Sequence, residues 1–401
     1  MSLDARLQPR LDELAAQNLY RRRRVIQGSH GVLIQVDGRR CINFCSNDYL
    51  GLAPDPRLAS AAQAAARNCG SGSGAAALVS GYNREHQQLE EALAEYVGRP
   101  RALLFSSGWA ANLGVMRALL DRDATLIADE LNHASLIDGG RLAGARYLRI
   151  KHSSLEAYAA ALASIDAGGA SKAPLKALVA TDSVFSMDGD LAPVAELHAL
   201  CQQHAVPLMV DDAHGFGVLP APAARIAAQD SIYVATLGKA LGASGAFVAG
   251  SEALIEYLIQ RGRTWVFSTA PPPALAAAAR AALQILIDEP QLQQRLQRNI
   301  RQFRAGALQL GLPLAPGVGT SETTKTPIQP LMVGDAAAAV RISEALMQAG
   351  YWVAAIRPPT VPRGTSRLRI TLSAAHSAAQ IEALLGELAT AFAGQPRADA
   401  C

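Results

Sequence analysis

Cysteine is scarce in this chain, with five in 401 residues, no Cys-x-x-Cys pair and no regular spacing. That excludes a disulfide framework and reads as reduced, mostly structural thiols of a cytoplasmic protein. Charge of one sign is not in excess: 37 Lys plus Arg against 34 Asp plus Glu leave +3, too near balance to signal nucleic-acid binding. The opening MSLDARLQPR lacks the basic segment and apolar run of a signal peptide. No apolar stretch of roughly 18 residues runs without Gly, Pro or charge, so no membrane span is expected. The Ala-rich stretches show no period of about 20–50 residues, which disfavours a solenoid. What is present is ordinary globular composition, 50% hydrophobic and 18% charged. At about 150 residues per domain, the length suggests two or three domains.

Leu3, Leu7, Leu11, Leu14 and Leu19 recur at helical spacing, suggesting an amphipathic amino-terminal arm, placed at 1–45. From Arg101, short β-rich apolar runs alternate with helical patterns, the signature of an α/β domain with a mostly parallel sheet flanked by helices. Strands are expected near 102–106, 124–128, 146–150, 176–182, 207–211, 231–236 and 245–249. Helices are expected near 109–120, 133–143, 154–165 and 193–204, with Pro193 in the first turn of the last. After Pro271-Pro272-Pro273 a long helical stretch spans about 274–311, and a boundary is placed near 285, giving a large domain 46–285. The remainder, 286–401, reads as a smaller α+β domain: strand 327–333, helix 335–350, strands 352–356 and 367–372, helix 376–392.

Ligands of open α/β sheets bind beyond the carboxyl ends of strands. Three such ends carry reactive groups: Asp211-Asp212-Ala213-His214, Thr236-Leu237-Gly238-Lys239, and Asp182-Ser183 with Ser186 following. Asp211 and His214 are three apart, so the strand must stop between them if both serve one site; Gly215 and Gly217 favour a stop. Alone, the pair reads equally well as a capping aspartate and a turn histidine. Lys239, held between Gly238 and Gly242, is placed to be desolvated as a nucleophile or Schiff-base partner, although a solvated loop lysine is the commoner meaning of such a segment. It is no Walker lysine, because Tyr233 and Ala240 stand where that motif needs Gly and Ser or Thr. The run Gly70-Ser71-Gly72-Ser73-Gly74 lacks the spacing of a dinucleotide turn. Ser106-Ser107-Gly108-Trp109, joining a strand to a helix, can bind phosphate or simply cap the helix. His133 at a helix start can stack on a planar ligand or cap. Cys41 and Cys45, four apart on one face of a strand, fit packing rather than a metal site, and no metal is expected. Arg21 to Arg24 read as a solvated face.

In combination these segments, with Ser46-Asn47-Asp48-Tyr49-Leu50-Gly51-Leu52 and Val184-Phe185-Ser186-Met187-Asp188-Gly189-Asp190, resemble the α-oxoamine synthase family of fold-type-I pyridoxal-phosphate enzymes. The likeness runs from about Arg21 to His376. It implies a pyridoxal 5'-phosphate cofactor bonded to Lys239, with Asp211 on the pyridine nitrogen and His133 stacked on the ring. Ser186 and His214 would lie at the phenolic oxygen. Gly108, Trp109 and Thr236 would lie at the phosphate, with Ser268 and Thr269 reaching the phosphate of a neighbouring subunit in a homodimer. Arg21, Asn47 and Thr360 match substrate-contacting positions, and Arg369 the position that binds the amino-acid carboxylate.

Within that family, Ala355-Ile356-Arg357-Pro358-Pro359-Thr360-Val361-Pro362 and Arg367-Leu368-Arg369-Ile370-Thr371-Leu372 resemble the branch that condenses a pimeloyl thioester, on coenzyme A or acyl carrier protein, with L-alanine. Branches using glycine with acetyl-CoA or succinyl-CoA are alternatives, and a cofactor-free scaffold subunit is an alternative of another class. Ala75-Ala76-Ala77 stand where many relatives carry Arg, and Trp109 where Phe is common, which narrows the acyl channel.

Overall fold

The computed structural model describes residues 2–165, 174–220, 231–315 and 326–393. The chain divides into two compact units: Leu52–Ser186 with Leu191–Pro290, and Met1–Gly51 with Met187–Asp190 and Gln291–Cys401.

The first of these is built on a seven-stranded sheet. Across the sheet the strands run Arg101–Phe105, Ala246–Gly250, Ile232–Thr236, Leu208–Asp211, Ala177–Asp182, Thr125–Asp129, Arg146–Ile150. All pairings are parallel except those of Ala246–Gly250, which runs against both neighbours and so departs from a purely parallel sheet. Central strands such as Ala177–Asp182 and Thr125–Asp129 are buried at every position, because helices cover both faces and no polar alternation is needed. Residues such as Leu126, Leu178, Met209, Val234 and Val248 form the core beneath the helices. Helices Gly108–Leu119, Ala134–Ala143, Leu155–Ala163 and Val194–Gln203 fall where the periodicity places them, although Pro193 is the N-cap rather than a first-turn residue. Four further helices, Pro56–Cys69, Arg84–Val97, Glu252–Arg261 and Arg263–Val266, lie outside the sequence reading; the first three begin at side-chain caps, Asp55, Asn83 and Ser251. The helical stretch 274–311 is two helices, Pro273–Asp288 and Gln291–Gln309, since Pro290 denies the preceding residue a helical conformation.

The second unit holds two small sheets. One orders Ile26–Gln27, Leu33–Val36, Arg39–Asn43 and Tyr351–Trp352; the other orders Ile328–Gly334, Ser366–Thr371 and Ala354–Ile356. The single strand expected at 352–356 is thus two, in different sheets, divided at the fully buried Val353. Helices Ala336–Gln348 and Ala378–Ala393 complete it. The amino-terminal pattern is a helix, Leu3–Ala16, none of whose residues is buried. Cys41 lies in the strand Arg39–Asn43, but Cys45 lies past its end and bonds through Sγ to the Trp352 carbonyl, so the two do not share a strand face. Among the described residues no group of His, Cys, Asp and Glu could hold a metal, and no helix is long and apolar enough to cross a membrane.

Candidate active site

Five parallel strands of the large sheet, with the turns after them, deliver side chains to one cleft. Gly108 and Trp109 follow Arg101–Phe105; His133 and Ser135 follow Thr125–Asp129; Asp182 and Ser186 come from Ala177–Asp182 and its turn. Asp211, Ala213 and His214 come from the end of Leu208–Asp211, and Thr236 and Lys239 from Ile232–Thr236. The strand stops at Asp211, whose Oδ1 accepts the Ala213 N–H at 3.0 Å, and this turn brings His214 round to the same cleft. Gly215 is required there: a Cβ would sit 2.1 Å from Asp212 Oδ1. Asp212 itself is structural, accepting Tyr233 Oη–H at 2.7 Å and Ser183 Oγ–H.

Asp211 is 5% exposed, and its Oδ2 accepts from Asn112 Nδ2 at 2.7 Å. The same Asn112 nitrogen donates to Ser135 Oγ at 2.8 Å, while Asn112 Oδ1 is buried without a hydrogen-bond partner. His133 is the N-cap of Ala134–Ala143; its Nδ1 accepts the Ser135 N–H at 3.3 Å, with Ser135 Oγ 2.7 Å away. Burial lowers the His133 pKa; the Asp211 carboxylate opposes that shift and the Lys239 ammonium reinforces it, so the neutral ring is favoured. Trp109 meets His133 edge to face, ring centroids 6.1 Å apart. Ser107 caps the helix Gly108–Leu119 by accepting the Ala110 N–H at 3.1 Å. A Cβ on Gly108 would meet nothing within 4 Å, so the helix's first turn opens onto the cleft with its N–H groups and positive dipole end. Lys239 sits in a turn closed by Gly242 N–H on the Lys239 carbonyl at 2.9 Å. Thr236 Oγ1 donates to the Gly245 carbonyl at 3.0 Å.

Eight of the expected residues therefore share this cleft: Gly108, Trp109, His133, Ser186, Asp211, His214, Thr236 and Lys239. Ser268 and Thr269 line a different cleft of the same unit, with Tyr82, His86 and Glu90. The other four lie in the second unit, where Arg21 Nη2 donates to Thr360 Oγ1 at 2.9 Å. There Arg369, 7% exposed, donates through Nη1 to Asn47 Oδ1 at 3.2 Å and Thr371 Oγ1 at 3.0 Å. Asn112 and Ser135 escaped the sequence reading; the signal was their spacing, four after Gly108 on its helix and two after His133.

A buried carboxylate, a lysine, a flat imidazole and an open helix N-terminus in one cleft suit a planar heteroaromatic carbonyl compound that carries a phosphate. The carboxylate matches a protonated ring nitrogen, the amine a carbonyl carbon, and the helix end the phosphate. Such a cleft on a mainly parallel seven-stranded sheet defines an aminotransferase-type enzyme. Residues 39–388 match the family model of the class I and II aminotransferases, and the chain belongs to that family.

Curated relatives make the likeness narrower. The chain is 53% identical over 385 residues to 8-amino-7-oxononanoate synthase of Nitrosococcus oceani, covering 94% of this chain and 98% of the relative. It is 48% identical over 401 residues to that of Pseudomonas putida, covering 98% and 99%. Among solved structures, serine palmitoyltransferase of S. paucimobilis, with a bound PLP–myriocin aldimine, superposes with a TM-score of 0.89 at 27% identity, over 98% of this chain and 99% of that one. The 8-amino-7-oxononanoate synthase of Francisella tularensis superposes with 0.73 at 31% identity, over 87% and 97%.

Proposed function

We propose that this chain works as an 8-amino-7-oxononanoate synthase, a pyridoxal-phosphate-dependent acyltransferase of biotin biosynthesis. It joins a pimeloyl thioester to L-alanine: the alanine α-carbon bonds to the acyl carbon, the C–S bond breaks to release the thiol, and the alanine carboxylate leaves as CO2. About half identity to curated synthases over nearly the whole chain carries this reading.

When bound, pyridoxal phosphate delocalises the electron pair left on the amino acid's α-carbon. Lys239 is the residue proposed to bond its carbonyl carbon, and the Lys239 amine to take the α-proton as general base. Asp211, oriented by Asn112, would hold the proton on the ring nitrogen by charge. His133 would pack on the ring face as a neutral imidazole. Ser186 and His214 would serve the phenolic oxygen, and the N–H groups at Gly108 and Trp109, with Thr236, the phosphate. Arg369 takes the alanine carboxylate and Asn47, Arg21 and Thr360 contact substrate, each assigned by match to the family's motifs. The chain is proposed to work in the cytoplasm as a homodimer in which Ser268 and Thr269 serve the neighbouring subunit's phosphate. The exposed apolar residues beside them, Phe267 at 72% and Val79 at 79%, support such a covered surface. The thiol carrier is coenzyme A or acyl carrier protein.

The test is visible absorbance of the purified protein with pyridoxal phosphate and L-alanine, before and after adding pimeloyl-CoA, with glycine plus acetyl-CoA as control. A long-wavelength band that needs alanine and grows with the pimeloyl thioester supports the reading. A response to glycine and acetyl-CoA alone moves the chain to the ligase branch. No cofactor absorbance at all leaves only a scaffold role.

A further inference from the structure

Asp182 is 4% exposed and lines the cleft, yet the proposed reaction gives it no task. Its Oδ2 accepts the backbone N–H of His133 at 2.7 Å. Its own N–H donates to Asn132 Oδ1 at 3.0 Å, and Asn132 Nδ2 donates to the Ala180 carbonyl at 2.8 Å. The backbone ladder between Thr125–Asp129 and Ala177–Asp182 ends at the pair Ala128 and Ala180. Beyond it, these three hydrogen bonds from two buried side chains continue the attachment and hold the loop that ends in His133. His133 is thus fixed at two points, its backbone N–H by Asp182 and its ring Nδ1 by Ser135. A half-shielded His133 N–H deprived of its acceptor would lose that hydrogen bond and let the loop shift.

The charges around Asp182 allow a neutral group to do this. Asp182 stands directly opposite Asp211 in the strand register. Burial and the Asp211 carboxylate push its carboxyl well above the usual carboxylate range, against the His133 N–H and Lys239 and with Asp129.

We infer that Asp182 and Asn132 form a clamp that positions His133, and that Asp182 affects the reaction through that imidazole alone. This rests on the proposed stacking of His133 on the cofactor. The test is a double-mutant cycle on cofactor-loaded enzyme, reading kcat, the KM for alanine, and the visible circular dichroism of the bound cofactor. Asp182→Ala is expected to lower kcat by about tenfold or more and to diminish the cofactor's ellipticity. In a His133→Ala background the same change should alter both by less than about twofold. Asp182→Asn, which keeps an oxygen for the His133 N–H, should restore kcat to within about threefold of the parent. Should Asp182→Ala fail to fold, Asn132→Ala cuts the clamp from its other side and enters the same cycle. Equal losses in both backgrounds, or no loss with His133 intact, would overturn the clamp. A parent enzyme showing no cofactor band overturns the functional reading instead, and this inference with it.

Discussion

Lys239 and Asp211 face the same cleft from adjacent strand ends, and each is expected to fail differently when changed. Lys239→Ala removes the amine proposed both to hold the cofactor and to move the α-proton, so kcat should fall by about a thousandfold or more. Far-UV circular dichroism and the thermal midpoint should stay at parent values, because Lys239 is not a core residue; retained turnover would remove it from its role. Asp211→Asn keeps the shape and the Asn112 contact but not the charge. Cofactor should still bind, while kcat drops by about a hundredfold, the scale of a lost preorganised charge. Single-turnover absorbance separates the two, since only the Asp211 variant keeps the band of a lysine-bonded cofactor. Alone, such residues read as readily as a cap or a solvated loop lysine, and they are legible in sequence only because several strand ends carry them together. Asn112 was not, since an amide inside a helix names no partner until the fold brings Asp211 within 2.7 Å of it.

At the scale of elements, the apolar runs bounded by turn residues mark all seven strands of the large sheet to within a residue or two, since strands buried on both faces must be apolar throughout. Helix ends depend on punctuation, and the break at Pro290 is visible as a proline but not as the meeting of two helices. The turn that carries Lys239 makes a sharper demand. Gly242 has φ +60, and a Cβ there would lie 2.2 Å from the Ala53 backbone nitrogen. Gly242→Ala should therefore destabilise the protein by roughly 2–4 kcal/mol, as left-handed backbone and backbone collision add. The thermal midpoint checks this, and a variant as stable as the parent would show that the turn can open. Val353 teaches the converse: five residues of strand-forming type read as one strand, and only packing decides that the chain changes sheets there.

For the molecule as a whole, acid stability is set partly by a residue outside the cleft. His376 is buried, stacked on Phe44 with centroids 4.1 Å apart; its Nδ1 accepts the Ser373 N–H at 2.9 Å, and Nε2 lies 3.0 Å from the Asn43 carbonyl. Burial lowers its pKa from 6.5 to about 4, outweighing the two backbone bonds. Above pH 6.5 both folded and unfolded states hold it neutral and its contribution is complete; as pH falls toward 4 only the unfolded state takes the proton. Stability should fall by roughly 3 kcal/mol across that window from this residue. Urea denaturation at pH 7 and pH 5 measures the slope, which His376→Gln should flatten; an unchanged slope would place the titration elsewhere.

Periodicity and turn residues were enough to determine the α/β class and the strands of the large sheet, while the family and eight residues of one cleft came from the resemblance of the strand-end motifs in combination. These are local properties: burial pattern follows from the residues of one segment, and a site at strand ends needs only the sheet. The tertiary structure alone decided the antiparallel strand Ala246–Gly250, the two small sheets of the second unit, and the partners that orient the reactive groups. Asn112 on Asp211 and Asp182 on His133 join residues 99 and 49 positions apart, and hydrogen bonds over such separations exist only once the strands between them have chosen their neighbours.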